Sequence, residues 1–219
     1  MLNQQIISSH IEPLQFTQTV QDALHLMSSL ELQHVPIVNE GIYLGLIQEE
    51  DILDAPPEDP LSNYQFDLLP VSVLATDHFL SAARLAALRQ LKIIPVISNE
   101  KEFIGAITSD DLLRQFSLLA GVQERGGLMV LSMNFSDYSM GQISKLVETN
   151  DAFITQLNTY TEEATGQFIV TLRINKEEIS DIVATLQRYD YQVIFHAGEE
   201  QYENELRRNY NHLMNFLEM

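Results

Sequence analysis

A hydroxyl and a carboxylate stand three residues apart at Thr108 and Asp111, and Gly105 precedes them. At the start of a helix, Asp111 can accept hydrogen bonds from both hydroxyls of a ribose, while Thr108 can offer its hydroxyl and the adjoining N–H groups to a phosphate. Gly105 lets the backbone approach a ligand closely because it has no side chain. The same Thr-x-x-Asp pair is also an ordinary capping box, which only begins a helix. The spacing therefore predicts either a nucleotide-binding turn or a structural cap.

A related run, Gly45–Asp51, lies 60 residues before Gly105–Asp111. It keeps the glycine and the aspartate, but Gln48 replaces the threonine and the next two residues are glutamates. Carboxylates at the start of a helix occupy the place that an anion would take. We therefore expect poor phosphate binding there and retain Asp51 only as a weaker ribose-binding candidate. His34, the one potentially cationic residue nearby, is interpreted as a packing or surface residue.

Apolar and basic residues near Thr108 in the sequence could complete such a site. Ile94 and Val73 could be plain core, and the family resemblance given below implies for them the alternative role of apolar walls around a base. Five basic residues could neutralise one or two phosphates or could simply cover solvated helix faces. These are Arg84, Arg89, Lys92, Lys101 and Arg114.

The elements that would position these side chains occur twice in the sequence. Each copy predicts a helix, a short strand that contains a proline, a turn, a second strand, and a helix that opens on polar residues. Gly45 and Gly105 lie 60 residues apart, whereas Pro36 and Pro95 lie 59 apart. The second copy therefore has one residue fewer before its proline and one residue more in the turn that follows. We expect the copies to occupy residues 1–60 and 61–120.

The two in-register copies resemble a tandem pair of cystathionine-β-synthase (CBS) domains, known as a Bateman module. Residues that carry the resemblance are the apolar-Pro-apolar strands and the segment Gly105–Asp111. The resemblance implies a sensor that binds AMP, ADP, ATP or S-adenosylmethionine as a regulatory ligand and controls a partner protein that the sequence does not identify. It assigns the ligand-binding residues as Asp111, Thr108, Gly105, Ile94, Val73 and Asp51. It also implies a homodimer.

Residues 127–196 predict the order strand, helix, strand, strand, helix, strand, which is the split βαβ arrangement of a ferredoxin-like domain. Asn175 with Glu178 predicts the start of its second helix. This order resembles an ACT domain, which implies amino-acid binding at a dimer interface. Asp137 and Gly141 lie in the expected loop, but the proline usual there is missing, so a structural or dimerising unit is favoured. Residues 199–219 predict an amphipathic closing helix.

Composition restricts the function further. With 12 Lys+Arg and 31 Asp+Glu, the chain has a net charge of −19, which repels nucleic acids and anionic membranes. It has no cysteine and no signal-peptide pattern, so we expect a cytoplasmic protein. No catalytic or metal-binding motif is present, and no required cofactor is expected. The sequence predicts an α/β (α+β) regulatory protein that is not an enzyme. The alternatives are a ligand-free dimeric interaction scaffold and an amino-acid sensor that acts through the ACT-like domain.

Overall fold

The computed structural model describes residues 1–8 and 11–198 of the chain. The protein divides into two compact units, residues 1–116 and the residues from Ser117 onward. The predicted closing helix at 199–219 lies outside the described residues. None of the helices in the described ranges has the length and apolar character that crossing a bilayer requires.

The first unit contains two copies of one set of elements. The first copy comprises β1 (Leu14–Gln15), α1 (Val20–Leu30), β2 (His34–Asn39), β3 (Ile42–Gln48) and α2 (Glu49–Ile52). The second comprises β4 (Val73–Leu74), α3 (Leu80–Arg89), β5 (Ile93–Ile97), β6 (Phe103–Thr108) and α4 (Ser109–Leu119).

Each copy builds a three-stranded sheet with the same topology. The sheet orders are β1-β2-β3 and β4-β5-β6, in which the first pair of strands is parallel and the second antiparallel. Both antiparallel pairs are irregular at the same point, between Ile37 and Val38 in one copy and between Val96 and Ile97 in the other. The repeat predicted from the sequence is therefore a repeat of three-dimensional structure.

Helix α1 shows how the local sequence sets an element. Thr19 is the N-cap: its hydroxyl accepts a hydrogen bond from the Asp22 N–H, while the Asp22 carboxylate accepts one from the Thr19 N–H. Val20, Ala23 and Met27 form the buried stripe at helical spacing. The helix ends at Glu31, which adopts a left-handed conformation (φ 55°) and donates its N–H back to the last turn.

The segments that precede the two repeats are exchanged. Residues 1–8, which the sequence analysis assigned to the first repeat, pack on the second: Ser8 bridges to Ala106, and Ile6 lies in the second repeat's core with Phe79 and Ile107. Conversely, the segment before the second repeat packs on the first. Leu61 is fully buried in the first repeat's core, and the backbones of Leu46 and Leu69 exchange two hydrogen bonds.

A third apolar cluster joins the two repeats. Its buried members come from both copies and are Ile11, Leu32, Leu46, Leu91, Ile93 and Ala106. Beside it, the buried ring of Tyr43 stacks on Phe103 with 6.2 Å between centroids, and the Tyr43 hydroxyl donates to the Val71 carbonyl at 2.8 Å. Burial raises the pKa of the Tyr43 phenol. The two repeats therefore share one apolar cluster in addition to the core of each.

The second unit is a single sheet covered by two helices. Its elements are β7 (Gly127–Met133), α5 (Met140–Glu148), β8 (Ile154–Thr161), β9 (Phe168–Ile174), α6 (Ser180–Arg188) and β10 (Gln192–Ala197). All neighbouring strands are antiparallel, in the order β10-β7-β9-β8. This order confirms the predicted ferredoxin-like fold.

One predicted helix start in this unit is wrong. Asn175 does not cap α6, which begins five residues later at Ser180. The Asn175 side chain instead accepts a hydrogen bond from the Phe153 N–H at 2.7 Å, so it joins the start of β8 to the end of β9. Glu178 accepts from the Ser180 N–H at 3.0 Å.

Candidate functional site

The Thr108–Asp111 turn lies where β6 passes directly into α4. Thr108 is the last residue of β6 and pairs with Ile93 at the start of β5. The next residue, Ser109, donates its N–H to the Lys92 carbonyl at 3.0 Å. These two connections hold the first turn of α4 against the start of β5.

Thr108 and Asp111 form a complete reciprocal cap. The Thr108 N–H and hydroxyl both donate to Asp111 Oδ2, at 3.0 and 2.6 Å, and the Asp111 N–H donates to Thr108 Oγ1 at 3.1 Å. Asp111 Oδ1 lies 3.8 Å from Nη2 of Arg114, one turn later on the helix. The Asp111 side chain is only 14% exposed, whereas Arg114 is 69% exposed. Thr108 and Asp111 therefore form the structural cap that their spacing predicted. Oδ1 accepts no hydrogen bond from Thr108, so it is the carboxylate oxygen that a ligand would reach.

Gly105 has a packing role that the sequence analysis did not anticipate. A Cβ at this position would lie 2.3 Å from Cγ2 of Ile7, so the space beside the glycine is filled by the N-terminal segment. The close approach expected from a ligand is therefore made by the protein's own chain. Gly45 repeats this arrangement, because a Cβ there would lie 2.7 Å from Cβ of Leu68.

Ile94 and Val73 lie in the second repeat's core, together with Ile6 and Phe79. Ile94 is fully buried, and Val73 is 8% exposed. Both side chains therefore stabilise the fold in this structure. Their part in forming the walls of a base pocket stays a prediction.

The basic residues do not gather at one point. Lys101 lies in the turn that joins β5 to β6, at the opposite end of the two strands from Thr108. Lys92 is exposed and donates its ammonium to the Glu31 carbonyl at 3.4 Å. Within the described ranges, Arg114 is the single cation that forms an ion pair, and its partner is Asp111. Lys92 and Arg114 are thus the two cations that the fold places on residues flanking the turn.

The equivalent position in the first repeat contains a cavity of about 180 Å³. Its lining residues are Gln33, His34, Gln48, Glu49 and Glu50. Gln48 takes the place of Thr108: its Nε2 donates to Asp51 Oδ2 at 3.2 Å, and its Oε1 lies 3.2 Å from Nε2 of His34. Two of the five lining side chains are carboxylates, and that this position disfavours phosphate stays a prediction.

His34 is the lining residue that the sequence analysis set aside. Its Nδ1 is buried, with no hydrogen-bond partner among the described residues. The signal that could have revealed its position is the strand register. Val35 pairs with Ile47, so the residue before it, His34, must face Gln48 across the two strands. Counting back from the Asn39–Gly41 turn alone would pair His34 with Ile47, one residue short of Gln48, because the irregularity between Ile37 and Val38 shifts the register.

The second unit has a polar cavity of about 390 Å³ beside the loop that joins β7 to α5. Asp137 lies in this loop, where Asn134 Nδ2 donates to its Oδ2 at 2.9 Å and Ser136 donates to its Oδ1 at 3.1 Å. Burial, with a further contribution from the charge of Asp137, raises the pKa of the neighbouring Tyr191 phenol. No group of three or more His, Cys, Asp or Glu side chains suited to a metal ion occurs in the described part of the chain.

Comparison with known proteins identifies the family of the first repeat. Residues 4–58 match the family model of the CBS domain. A CBS domain pair/ACT domain protein from Thermotoga maritima is 22% identical, with 53% of this chain and 96% of that chain covered and a TM-score of 0.49. The acetoin utilization protein AcuB from Vibrio cholerae is 25% identical, with 56% and 95% covered and a TM-score of 0.46. CBSX2, solved in complex with AMP, is 17% identical, with 54% and 97% covered and a TM-score of 0.45.

The match confirms the resemblance to CBS-domain proteins that the repeated strands and turns predicted. AcuB is one of the solved proteins to which this chain is similar.

Proposed function

We propose that this protein, which carries a CBS domain in residues 4–58, is a non-enzymatic regulator whose first unit binds an adenine-containing ligand. The ligand class is AMP, ADP or ATP, with S-adenosylmethionine as the related candidate. One observation carries the proposal: the CBS domain is followed by a second copy with the same strand order and the same strand irregularity. A resemblance to a Bateman module implies adenosine recognition between such paired copies.

The Thr108–Asp111 turn is the proposed ribose and phosphate site. Asp111 Oδ1 is the oxygen free of hydrogen bonds from Thr108, and the ribose hydroxyls would donate to it. Arg114 then has to move from Asp111 toward the phosphates, which its 69% exposure permits. Lys92 supplies a second positive charge. Ile94 and Val73 would form the apolar walls around the base, Gly105 is the third member of this part of the site, and the acidic first-repeat position around Asp51 takes less part.

The test is the affinity of the full chain for AMP, ATP and S-adenosylmethionine, measured by calorimetry. Asp111→Asn removes the acceptor charge and should weaken nucleotide binding by about 10-fold or more, since a hydrogen bond to a charged group contributes about 1.5–3 kcal/mol. Asp110→Asn is the matched control, because Asp110 is exposed in the same turn and its substitution changes the net charge by the same amount. Asp51→Asn should have a smaller effect than Asp111→Asn.

Equal affinities for the Asp111 and Asp110 variants would reject the second-repeat site. A thermal-unfolding scan separates this result from a folding defect. A ligand at 100 times its dissociation constant stabilises the native state by about 2.7 kcal/mol, and both variants must melt cooperatively without ligand for the comparison to count.

A second candidate function is a ligand-free interaction scaffold, and one observation favours it. Asp111 is satisfied internally by Thr108 and Arg114, so the turn is complete without a ligand. A scaffold predicts no stabilisation by any adenine-containing compound at millimolar concentration. A sensor predicts stabilisation by at least one of them, and this stabilisation must be lost in Asp111→Asn.

We also propose that the protein is a cytoplasmic homodimer that acts on a separate regulated protein. Helices α3 and α4 support the dimer, because each exposes large apolar side chains to solvent. Leu88 on α3 is 69% exposed, and Phe116 on α4 is 40% exposed. Apolar helix faces of this kind are covered when two Bateman modules associate, as the family resemblance implies.

A further inference from the structure

The outer face of the second unit contains a polar groove between α5 and α6, which adjoins the cavity beside Asp137 because Gln142 and Tyr189 line both. A cavity of about 690 Å³ lies there and is lined by Lys145, Asn150, Thr185 and Arg188, among others. A neighbouring cavity of about 650 Å³ shares Asn150, Thr185 and Arg188 but adds the carboxylate of Asp181. The groove therefore has a cationic side, toward Lys145, and an acidic side.

A hydrogen-bonded network fixes the floor of the groove. Asn150 Nδ2 donates to the Leu146 carbonyl at 2.9 Å and lies 3.3 Å from Thr185 Oγ1. Thr185 is only 6% exposed, which is rare for a hydroxyl residue on a helix at the surface. The Arg188 guanidinium donates from Nη2 to Thr185 Oγ1 at 2.9 Å. One edge of Arg188 is thus anchored to a buried hydroxyl, and no other hydrogen bond of its guanidinium occurs among residues 1–8 and 11–198.

No carboxylate neutralises the cations of this groove within the described ranges. Lys145 and Arg188 form no ion pair there, although acidic residues are twice as numerous as basic ones between positions 117 and 198. A third cation, Lys176, donates its ammonium to the Asn150 carbonyl at 3.1 Å. Three of the five basic residues in this part of the sequence therefore surround Asn150.

Helix dipoles explain only part of this arrangement. Lys145 and Arg188 each lie in the last turn of their helix, where a cation is favourable. That effect accounts for one cation on each helix. It does not require both to line the same cavity, nor does it require the guanidinium to be held by a buried threonine. A fixed guanidinium beside a second cation is the arrangement that recognises carboxylates and phosphates.

We propose that the α5–α6 groove binds a small oxyanion, the carboxylate or phosphate group of a small metabolite. Arg188 would form two parallel hydrogen bonds to its oxygens, and Lys145 would supply the second charge from α5. Asp181 confines the anion to the Lys145 side, because a carboxylate repels it from the neighbouring cavity. Thr185 and Asn150 are positioning residues that orient the guanidinium. This site is independent of the nucleotide site proposed for the first unit.

The test is an NMR titration of the full ¹⁵N-labelled chain with sodium phosphate and, separately, with sodium malonate, each against sodium chloride of equal ionic strength. Either anion should cause saturable shifts in the amides of residues 142–150 and 185–189 that chloride does not reproduce. Arg188→Gln should weaken binding at least 10-fold, and Lys145→Gln should weaken it several-fold. Arg125→Gln, which removes an exposed cation from the same unit, should change nothing.

Thr185→Val tests the positioning role, with Thr185→Ser as the conservative variant that keeps the hydroxyl. The valine variant should bind the anion several-fold more weakly than the unmodified chain, whereas the serine variant should bind it about equally well. The amide spectrum should stay dispersed in both variants. If Thr185→Val fails to fold, the exposed Arg188 and Lys145 variants still decide the result. Shifts that follow ionic strength alone, or equal binding by Arg188→Gln and the unmodified chain, would overturn the proposal.

Discussion

Gly45 and Gly105 show that one residue type can be required for a reason unrelated to a ligand. Each is in close contact with a segment that precedes the other repeat, Leu68 beside Gly45 and Ile7 beside Gly105. A methyl group at either position would lie closer to its neighbour than real Cβ atoms approach. These two glycines, 60 residues apart, are therefore required for the same reason: in each repeat another segment of the chain packs directly against the backbone at this position.

We predict that Gly105→Ala destabilises the first unit by about 1–3 kcal/mol, the usual cost of overpacking a filled core. Ile7→Ala should also destabilise it, because it removes part of a packed side chain. The double variant should lose less free energy of unfolding than the sum of the two single variants, since the methyl group added at residue 105 fills space that Ile7→Ala vacates. Urea unfolding of the four proteins, followed by far-ultraviolet circular dichroism, measures the coupling. Strictly additive losses would show that Ile7 does not occupy the space beside Gly105.

For the Thr108–Asp111 pair, the sequence predicted the local hydrogen bonds but not the long-range neighbours of the turn. Its spacing predicted a capping box, and the three hydrogen bonds of that box are present. The sequence could not reveal that Ile7 covers Gly105, because the contact joins residues that are almost 100 positions apart. It also could not place Lys101 at the far end of the strands, which depends on the pairing register. Local hydrogen bonds follow from spacing, whereas long-range neighbours follow from topology.

At the scale of elements, the cap of α1 makes stability depend on pH. The Thr19 N–H, and then the Thr19 hydroxyl, hydrogen-bond the Asp22 carboxylate and lower its pKa below the usual value of 3.8. A group whose folded pKa is depressed stabilises the native state above its unfolded pKa and loses that contribution as pH falls through the folded value. The Asp22 contribution is therefore complete at neutral pH and disappears below about pH 4.

We predict that Thr19→Ala lowers the free energy of unfolding at pH 7 by about 1 kcal/mol, the typical value of an N-cap. The loss should shrink between pH 6 and pH 3, because protonated Asp22 no longer attracts the Thr19 hydroxyl as strongly. Ser139→Ala is the control: Ser139 caps α5 through the Gln142 N–H without a carboxylate partner. Its effect should not change over this range. Equal pH dependence in the two variants would contradict the role given to Asp22.

The order of the elements could be predicted, but some of their ends could not. Hydrophobic spacing and proline positions predicted both copies of the repeat and the ferredoxin-like order of the second unit. Asn175 was misinterpreted because an asparagine side chain can satisfy any nearby N–H, and here it bonds Phe153 across 22 positions rather than the start of its own helix. The exchange of residues 1–8 onto the second repeat leaves no periodic signal in the sequence.

At the scale of the whole molecule, charge acts against the association that the apolar helix faces favour. Each chain has a net charge of −19, and residues 1–83 contain no lysine or arginine. Two such chains repel each other at low ionic strength, and salt screens this repulsion within about 10 Å at 0.1 M. A dimer held by apolar side chains should therefore become tighter as salt is added.

We predict a light-scattering mass close to twice the 25.0 kDa of one chain at micromolar concentration. The fraction of dimer should rise as salt is increased from about 20 to about 300 mM, because salt screens the repulsion between the two chains. Leu88→Glu should shift the protein toward monomer because it places a charge on the exposed face of α3. Phe66→Glu adds the same charge at a side chain that is 90% exposed outside α3 and α4, and should not. A single-chain mass at every salt concentration would rule out the dimer.

The exchanged N-terminal segment also constrains how the protein is made. Ile6 and Ile7 leave the ribosome early, but Ala106 and Ile107, against which this segment packs, are synthesised about 100 residues later, a delay of about 5–20 s at 5–20 residues per second. During that time the nascent chain displays an apolar segment with no native partner. The second repeat cannot close its interior before its own last strand has been translated, whereas every residue of the first repeat's core has been made by residue 68. A ribosome that stalls before residue 106 therefore leaves the second repeat and the cluster shared by the two repeats incomplete, and the first repeat is the part of the unit that can form its own core sooner.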